Sequence, residues 1–217
     1  MKNILFVPSS PRGWESYSHR VARRIVDDLL TRSPGARVVV RDVAKRPLPH
    51  VGAPFAAGRA MPAEKRSEAD RQALALSDEL VDELFAADVI VIAAPMHNFS
   101  IPSSLKAWVD HIVRPGRTFS YSEKGPQGLV TEKKAVLVLA RGGVYSEGPM
   151  QSFDFQEPYL RAVLGFIGIT DIEVVRVEGV ALGEQAVSQA LISADARGHA
   201  IVRRLAEPVA ESIRAAA

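Results

Sequence analysis

The sequence predicts an α/β fold built on a parallel sheet, and two observations carry that prediction. Five short β-branched runs, Asn3–Val7, Arg37–Val40, Asp88–Ala94, Lys134–Ala140 and Ile172–Val177, punctuate the chain. Most are continuously apolar, as strands covered on both faces must be, where a half-exposed sheet would alternate. Between them lie segments with helical apolar spacing, so strand and helix take turns along the chain. That alternation reads as right-handed crossovers joining parallel strands.

Each element has its own warrant. In Ser18–Leu30, Val21, Ile25 and Leu29 recur every fourth residue beside Ala22, Val26 and Leu30, which makes one broad apolar stripe. Lys45–Pro62 contains Pro47, Pro49, Pro54 and Pro62 and reads as a long loop. Glu64–Phe85 carries Leu76, Leu80 and Leu84; Ser103–Val113 carries Leu105, Trp108, Val109 and Ile112. A last helix spans Glu184–Arg204, with an extension toward Ile213 after an interruption at Pro208. No internal repeat or low-complexity tract divides the chain, so one domain is expected over residues 1–217. With five strands the expected order is 2-1-3-4-5, a flavodoxin-like three-layer sandwich with helices on both faces.

Composition narrows the function classes. The 217 residues carry 27 Lys and Arg against 25 Asp and Glu, a net charge of +2, with no block of like charges that would form a nucleic-acid footprint. Cysteine is absent, which excludes a disulfide framework, a thiolate metal site and a cysteine nucleophile. Only Ile4–Val7 are apolar before Pro8, too short for a secretory signal. The runs Val89–Ala94 and Ala135–Ala140 fall well short of the roughly 20 residues that span a bilayer. The expectation is a cytoplasmic protein with neither membrane insertion nor nucleic-acid binding.

In a doubly wound sheet, ligands bind beyond the carboxyl ends of the strands where strand order reverses, here between the first and third strands. Three segments therefore matter. After the first strand comes Pro8-Ser9-Ser10-Pro11-Arg12-Gly13-Trp14-Glu15-Ser16-Tyr17-Ser18. Hydroxyls and unpaired N–H groups at a helix start form an anion site. The segment lacks both the G-x-x-x-x-G-K-[ST] and the G-x-G-x-x-G patterns, so a monophosphate on Ser10, Ser16 and Ser18 fits better than a di- or triphosphate. The alternative is that Ser16 or Ser18 simply caps the helix. After the third strand, Pro95-Met96-His97-Asn98-Phe99 offers an apolar wall, an amide and backbone donors, which a flat heteroaromatic ligand needs. After the fourth, Arg141-Gly142-Gly143 lets the backbone approach an oxygen closely, unless it is a mere turn.

Sharper motifs fail. Ser146 lacks the glycine at 144 that a nucleophile elbow requires. The histidines at 19, 50, 97, 111 and 199 form no pair at ligand spacing, so no metal is expected, and no Ser-His-Asp spacing argues for a hydrolase. Asp110 and His111 read as surface or interface groups.

The stretches Leu76–Leu80, Asp88–Phe99, Thr118–Pro126, Arg141–Gly143 and Leu164–Asp171 together resemble the bacterial FMN-dependent NADH-azoreductase family. The Pro-Met-x-Asn-Phe segment at 95–99 is the specific part. The resemblance implies bound FMN, a homodimer with active sites at the interface, and reduction of quinones and azo compounds by NADH or NADPH. It would place the FMN phosphate on Ser10, Ser16, Tyr17 and Ser18, and the ring on Met96, His97, Asn98 and Phe99. Gly142 and Gly143 would follow the pyrimidine edge, with Ala140 and Arg141 completing the cofactor set and Ala140 acting through its backbone. Tyr121 and Phe166 would line the substrate cavity from the partner subunit. Two departures stand out: His97 where the family often has Tyr, and Ala140 where it often has Ser or Thr. His97 is the candidate proton donor, against simple ring packing. Arg12 is a candidate cation near the phosphate and Arg59 a candidate nucleotide contact, each against the reading of a solvated loop arginine. The implied mechanism is ping-pong hydride transfer through flavin N5. Competing readings are a flavodoxin-like electron carrier, a non-enzymatic flavin-binding protein and a nucleotide-binding protein without flavin.

Overall fold

The computed structural model describes residues 3–206. The chain runs β1 (Asn3–Pro8), α1 (Tyr17–Arg32), β2 (Arg37–Val40), α2 (Ala53–Ala60), α3 (Glu68–Ala86), β3 (Val89–Pro95) and α4 (Ser103–Ile112). It continues through β4 (Phe119–Ser122), β5 (Gly125–Gly128), β6 (Lys134–Ala140), α5 (Glu157–Ile167), β7 (Asp171–Val177) and α6 (Glu184–Ala206). The main sheet has the order β2-β1-β3-β6-β7 with every neighbour parallel. That is the expected 2-1-3-4-5 order once the β4–β5 hairpin is set aside.

The central strands β1, β3 and β6 are dry on both faces because they are apolar at successive positions, whereas Val39 and Val40 of the edge strand β2 are exposed. Leu5, Val7, Ile90, Ile92, Leu137 and Leu139 point to one side, where Leu80 and Leu84 of α3, Trp108 of α4 and Leu160 and Leu164 of α5 cover them. Ile4, Phe6, Val89, Val91, Val136 and Val138 point to the other, against Val21, Ile25 and Leu29 of α1 and Ile201 and Val202 of α6. Burying such side chains contributes roughly 1.5–3 kcal/mol each relative to exposure. The chain end anticipated toward Ile213 lies outside the described residues.

Several elements depart from the sequence reading. The proline-rich loop contains α2, which Pro54 can enter because a proline near a helix start forfeits no internal hydrogen bond. Phe55 is buried, and Gly58 packs so near Asp70 that an added Cβ would lie 2.8 Å from that residue. The helix expected from Glu64 starts at Glu68, since Ser67 and Asp70 form a reciprocal capping box. The hairpin β4–β5 and the helix α5 fill chain that carried no assigned elements. A Cβ at Gly128 would fall 2.3 Å from the Gly168 nitrogen, so the hairpin lies directly on the end of α5.

Candidate functional site

Because β1, β3 and β6 are adjacent, the segments following them emerge side by side at the carboxyl edge of the sheet. Hydrogen bonds tie them together. Ser9 donates to the Ala93 carbonyl through both its N–H (3.0 Å) and its hydroxyl (2.9 Å). Met96 N–H donates to the Ala140 carbonyl at 2.7 Å.

The first segment builds a cradle of hydroxyls. Gly13, at φ 52°, lets the chain form a short 3-10 turn whose N–H returns to the Ser10 carbonyl. Ser16 then occupies the N-cap position of α1, yet its side chain makes no capping hydrogen bond. Its hydroxyl lies 3.0 Å from that of Ser18 instead, and Ser10, Ser16 and Ser18 are all buried. The capping alternative therefore fails for Ser16. The hydroxyls and the first-turn N–H groups of α1 suit a phosphate. The Tyr17 ring packs on the apolar core beside Val180, so only its backbone belongs to the cradle. Behind it, His19 is sealed between Trp14, stacked at 4.4 Å, and Phe6, edge-on at 5.5 Å. Burial lowers the His19 pKa below its ordinary value, although Asp42 and the hydrogen-bonded Gly13 backbone pull the other way.

The second segment is a two-residue reversal. His97 and Ser100 exchange backbone hydrogen bonds of 2.9 and 3.0 Å, and the central residues Asn98 and Phe99 have φ of 48° and 70°. Positive φ at both central positions is the type I′ pattern, which favours Asn first but Gly second. Phe99 thus occupies a strained conformation, a feature concentrated at functional sites. Its ring stays exposed, 5.4 Å from Phe153 and 6.3 Å from Tyr145. Met96 is half-buried, and His97 and Asn98 are exposed.

The third segment hangs from Arg141. Its side chain is wholly buried, 2.9 Å from Asp154 and 2.9 Å from Glu178, and it donates to Gln156 at 3.0 Å. Arg141 can therefore serve a ligand only through its backbone. Ala140 is likewise buried. Glu178 also accepts the N–H groups of Tyr145 (2.8 Å) and Ser146 (3.0 Å), pinning the turn beyond the glycines. Burial pushes the Glu178 carboxyl upward, but hydrogen bonds from Ser146, Tyr145 and Arg141 prevail and hold it below the usual range. The carbonyls of Arg141, Gly142 and Gly143 accept from Val180, Ala181 and Gly179. Among the described residues nothing accepts from the Gly142 and Gly143 N–H groups. Two donors held in this way suit an anionic heterocycle edge. Hydroxyl cradle, aromatic wall and glycine donors therefore fit a flavin mononucleotide.

Other anticipated residues lie elsewhere. Tyr121 and Phe166 meet through Phe119, at 5.4 and 4.6 Å, but Phe166 is in the last turn of α5. Tyr159, near the start of that helix, borders the His97–Asn98 turn, so Phe166 lies about 10 Å further along the axis at 1.5 Å per residue. One chain does not gather them with the three segments. The apolar residues Leu105, Trp108, Val109 and Ile112 of α4 belong to the core, buried within the chain. Among the described residues no group of His, Asp or Glu could hold a metal. Gln156, Glu178 and Phe153 had no place in the sequence reading. Glu178 follows the last strand directly, and the Phe153-x-Phe155 pair was the visible signal for the aromatic wall.

The profile of the flavodoxin-like fold family matches residues 2–201. An FMN-dependent NADH:quinone oxidoreductase of Mesorhizobium japonicum is 50% identical over 200 residues, 92% of this chain and 95% of that protein. The chain belongs to the FMN-dependent NADH-azoreductase family. A second FMN-dependent NADH:quinone oxidoreductase, from Rhizobium etli, is 50% identical over 197 residues, 91% of this chain and 96% of that relative. Among solved azoreductases, that of Bacillus anthracis str. Sterne superposes with a TM-score of 0.87 at 29% identity, covering 94% of this chain and 100% of its own.

Proposed function

We propose that this chain is a cytoplasmic FMN-dependent NADH:quinone oxidoreductase that also reduces azo compounds, with residues 1–217 acting as one domain in a homodimer. The observation that carries the reading is the convergence, on adjacent strands, of buried serine hydroxyls, a strained aromatic turn and unused glycine N–H groups. Family membership supports the same reading.

FMN held there would supply two-electron chemistry, with hydride passing through flavin N5 between the nicotinamide donor and the acceptor in ping-pong order. Ser10, Ser16, Ser18 and the Tyr17 N–H would hold its phosphate. Met96, His97, Asn98 and Phe99 would bound the ring. The Gly142 and Gly143 N–H groups would steady negative charge at its pyrimidine edge without needing to reorganise. Phe99 and Phe153 would shield the ring face from water once flavin and acceptor are stacked there. His97 is exposed and can hold a proton for the acceptor; an unchanged pH–rate profile in His97→Phe would remove it from that role. Tyr121 and Phe166 would line the acceptor cavity from the partner subunit.

The test is anaerobic spectroscopy of the purified protein. A yellow protein that bleaches with NADH and recovers with benzoquinone bears the reading out, and NADPH in parallel sets the donor preference. A yellow protein that NADH leaves oxidised is an electron carrier. Replacing Ser16 or Ser18 with Ala should weaken FMN binding about tenfold or more, the worth of one hydrogen bond to a charged group. Flavin fluorescence titration of the apoprotein would measure it, and unchanged affinity in both would displace the phosphate from this cradle.

A further inference from the structure

A cleft of about 420 Å³ opens on the α4 side of the His97–Asn98 turn, lined by His97, Asn98, Ser100, Ser103, Lys106 and Tyr159. Its chemistry differs from that of three other surface clefts, each of which has carboxylates in its wall. Asp28 and Asp195 lie between α1 and α6, Asp78, Glu79, Asp82 and Glu83 flank the start of β1, and Glu184 lies at the start of α6. Here no carboxylate lines the wall, and every polar lining side chain can donate a hydrogen bond. The Lys106 ammonium is held from outside the wall by Asp110, 2.6 Å away and one helical turn on. That pairing leaves two of its three N–H donors uncommitted. Tyr159 is half-buried, and burial raises its phenol above the ordinary value while the Lys106 ammonium opposes, so it remains a proton-bearing donor.

We propose that this cleft receives the anionic substituent, a sulfonate or carboxylate, of an aromatic quinone or azo acceptor, with Lys106 as the residue that selects for it. The proposal rests on the oxidoreductase reading, because His97 and Asn98 are shared between the cleft and the wall assigned to the ring. An acceptor stacked there can extend its substituent past the turn toward α4. Asp110 tempers the selection: it orients Lys106 but cancels part of the field that an incoming anion meets.

The test compares 1,2-naphthoquinone with 1,2-naphthoquinone-4-sulfonate, each variant measured against wild type on the same acceptor so that the two reduction potentials cancel. Lys106→Met should lower kcat/KM for the sulfonated quinone about tenfold, the worth of a charge-assisted hydrogen bond, and leave the neutral quinone within about twofold. Asp110→Asn should move the sulfonated quinone in the opposite direction, raising it about two- to threefold at low salt. Binding of naphthalene-2-sulfonate, which cannot be reduced, should weaken by the same factor in Lys106→Met holoprotein. Equal losses on both acceptors, or no loss on either, would overturn the proposal. A wild-type protein that binds FMN but turns over neither quinone would overturn the oxidoreductase reading and the proposal with it, and that result precedes any variant.

Discussion

Phe99 holds a left-handed backbone that costs a non-glycine residue on the order of 1–2 kcal/mol. Its ring is 41% exposed and meets Phe153 and Tyr145, so packing offsets that cost in part. Phe99→Gly should therefore melt at the same temperature as wild type or slightly above it, while kcat/KM for quinones falls about tenfold. Thermal melts beside steady-state kinetics would decide the matter, and a variant that is destabilised yet fully active would free Phe99 from the acceptor face. Arg141 presents the opposite case, a residue that the family resemblance puts in the cofactor set and whose side chain the fold commits to Asp154, Glu178 and Gln156. Removing the cation takes the buried counter-charge from Asp154 and Glu178, while Glu157 keeps Arg161 and Arg176. Arg141→Met should cost about 3–5 kcal/mol in urea unfolding, as for other broken buried pairs, and weaken FMN binding through the loosened glycine turn. A loss under 1 kcal/mol would show that the carboxylates find other partners. No spacing rule could have revealed this hub, since its partners lie 13 to 37 positions downstream and meet it only once β6 and β7 pair.

At the scale of elements, the five strands were legible because short, β-branched apolar runs alternate with segments of helical spacing. The hairpin and α2 were not. Phe119–Gly128 contains three glycines and prolines among its ten residues, and it becomes a hairpin through packing on α5 that no local pattern encodes. α2 likewise depends on Phe55 and on the close approach of Gly58 to α3. The helix α5 is only three turns long, and its reading is blurred by Gly165 and Gly168, the second a left-handed C-cap. Gly128→Ala tests the hairpin seat. The added methyl meets backbone on the α5 end, so the variant should lose about 1–3 kcal/mol, the usual penalty of overpacking. Tyr121, carried on the hairpin, should shift with it, and acceptor turnover should fall more than FMN affinity does. Unfolding curves and flavin titration separate the two effects; full stability would mean that the hairpin moves aside freely.

For the molecule as a whole, the site's location was legible because sheet order alone places the switch point. Its supports were not, because they are titrating groups brought together late. Glu157 and Glu178 are both held below the ordinary carboxylate value of about 4.5, burial being outweighed by their hydrogen-bond donors. Above that value both are ionised whether the chain is folded or not, and their stabilisation is complete. As the pH falls through it, the unfolded chain takes up protons first and the contribution is lost. Unfolding free energy should accordingly be flat from pH 6 to 8 with respect to these two and decline below about pH 5, with a shallower decline in Glu178→Gln. An identical slope in that variant would place the linkage elsewhere. The strand order has a temporal side as well. Ser10 is made early and Gly143 late, and at about 5–20 residues per second the interval is roughly 7–27 s. Within that time β1 can pair with β2, and β3 with its aromatic turn follows, but β6 and its glycine donors come last, so a nascent chain has the cradle residues before it has the pyrimidine edge. The complete set of flavin-binding segments is therefore in being only once the chain has been made past Gly143.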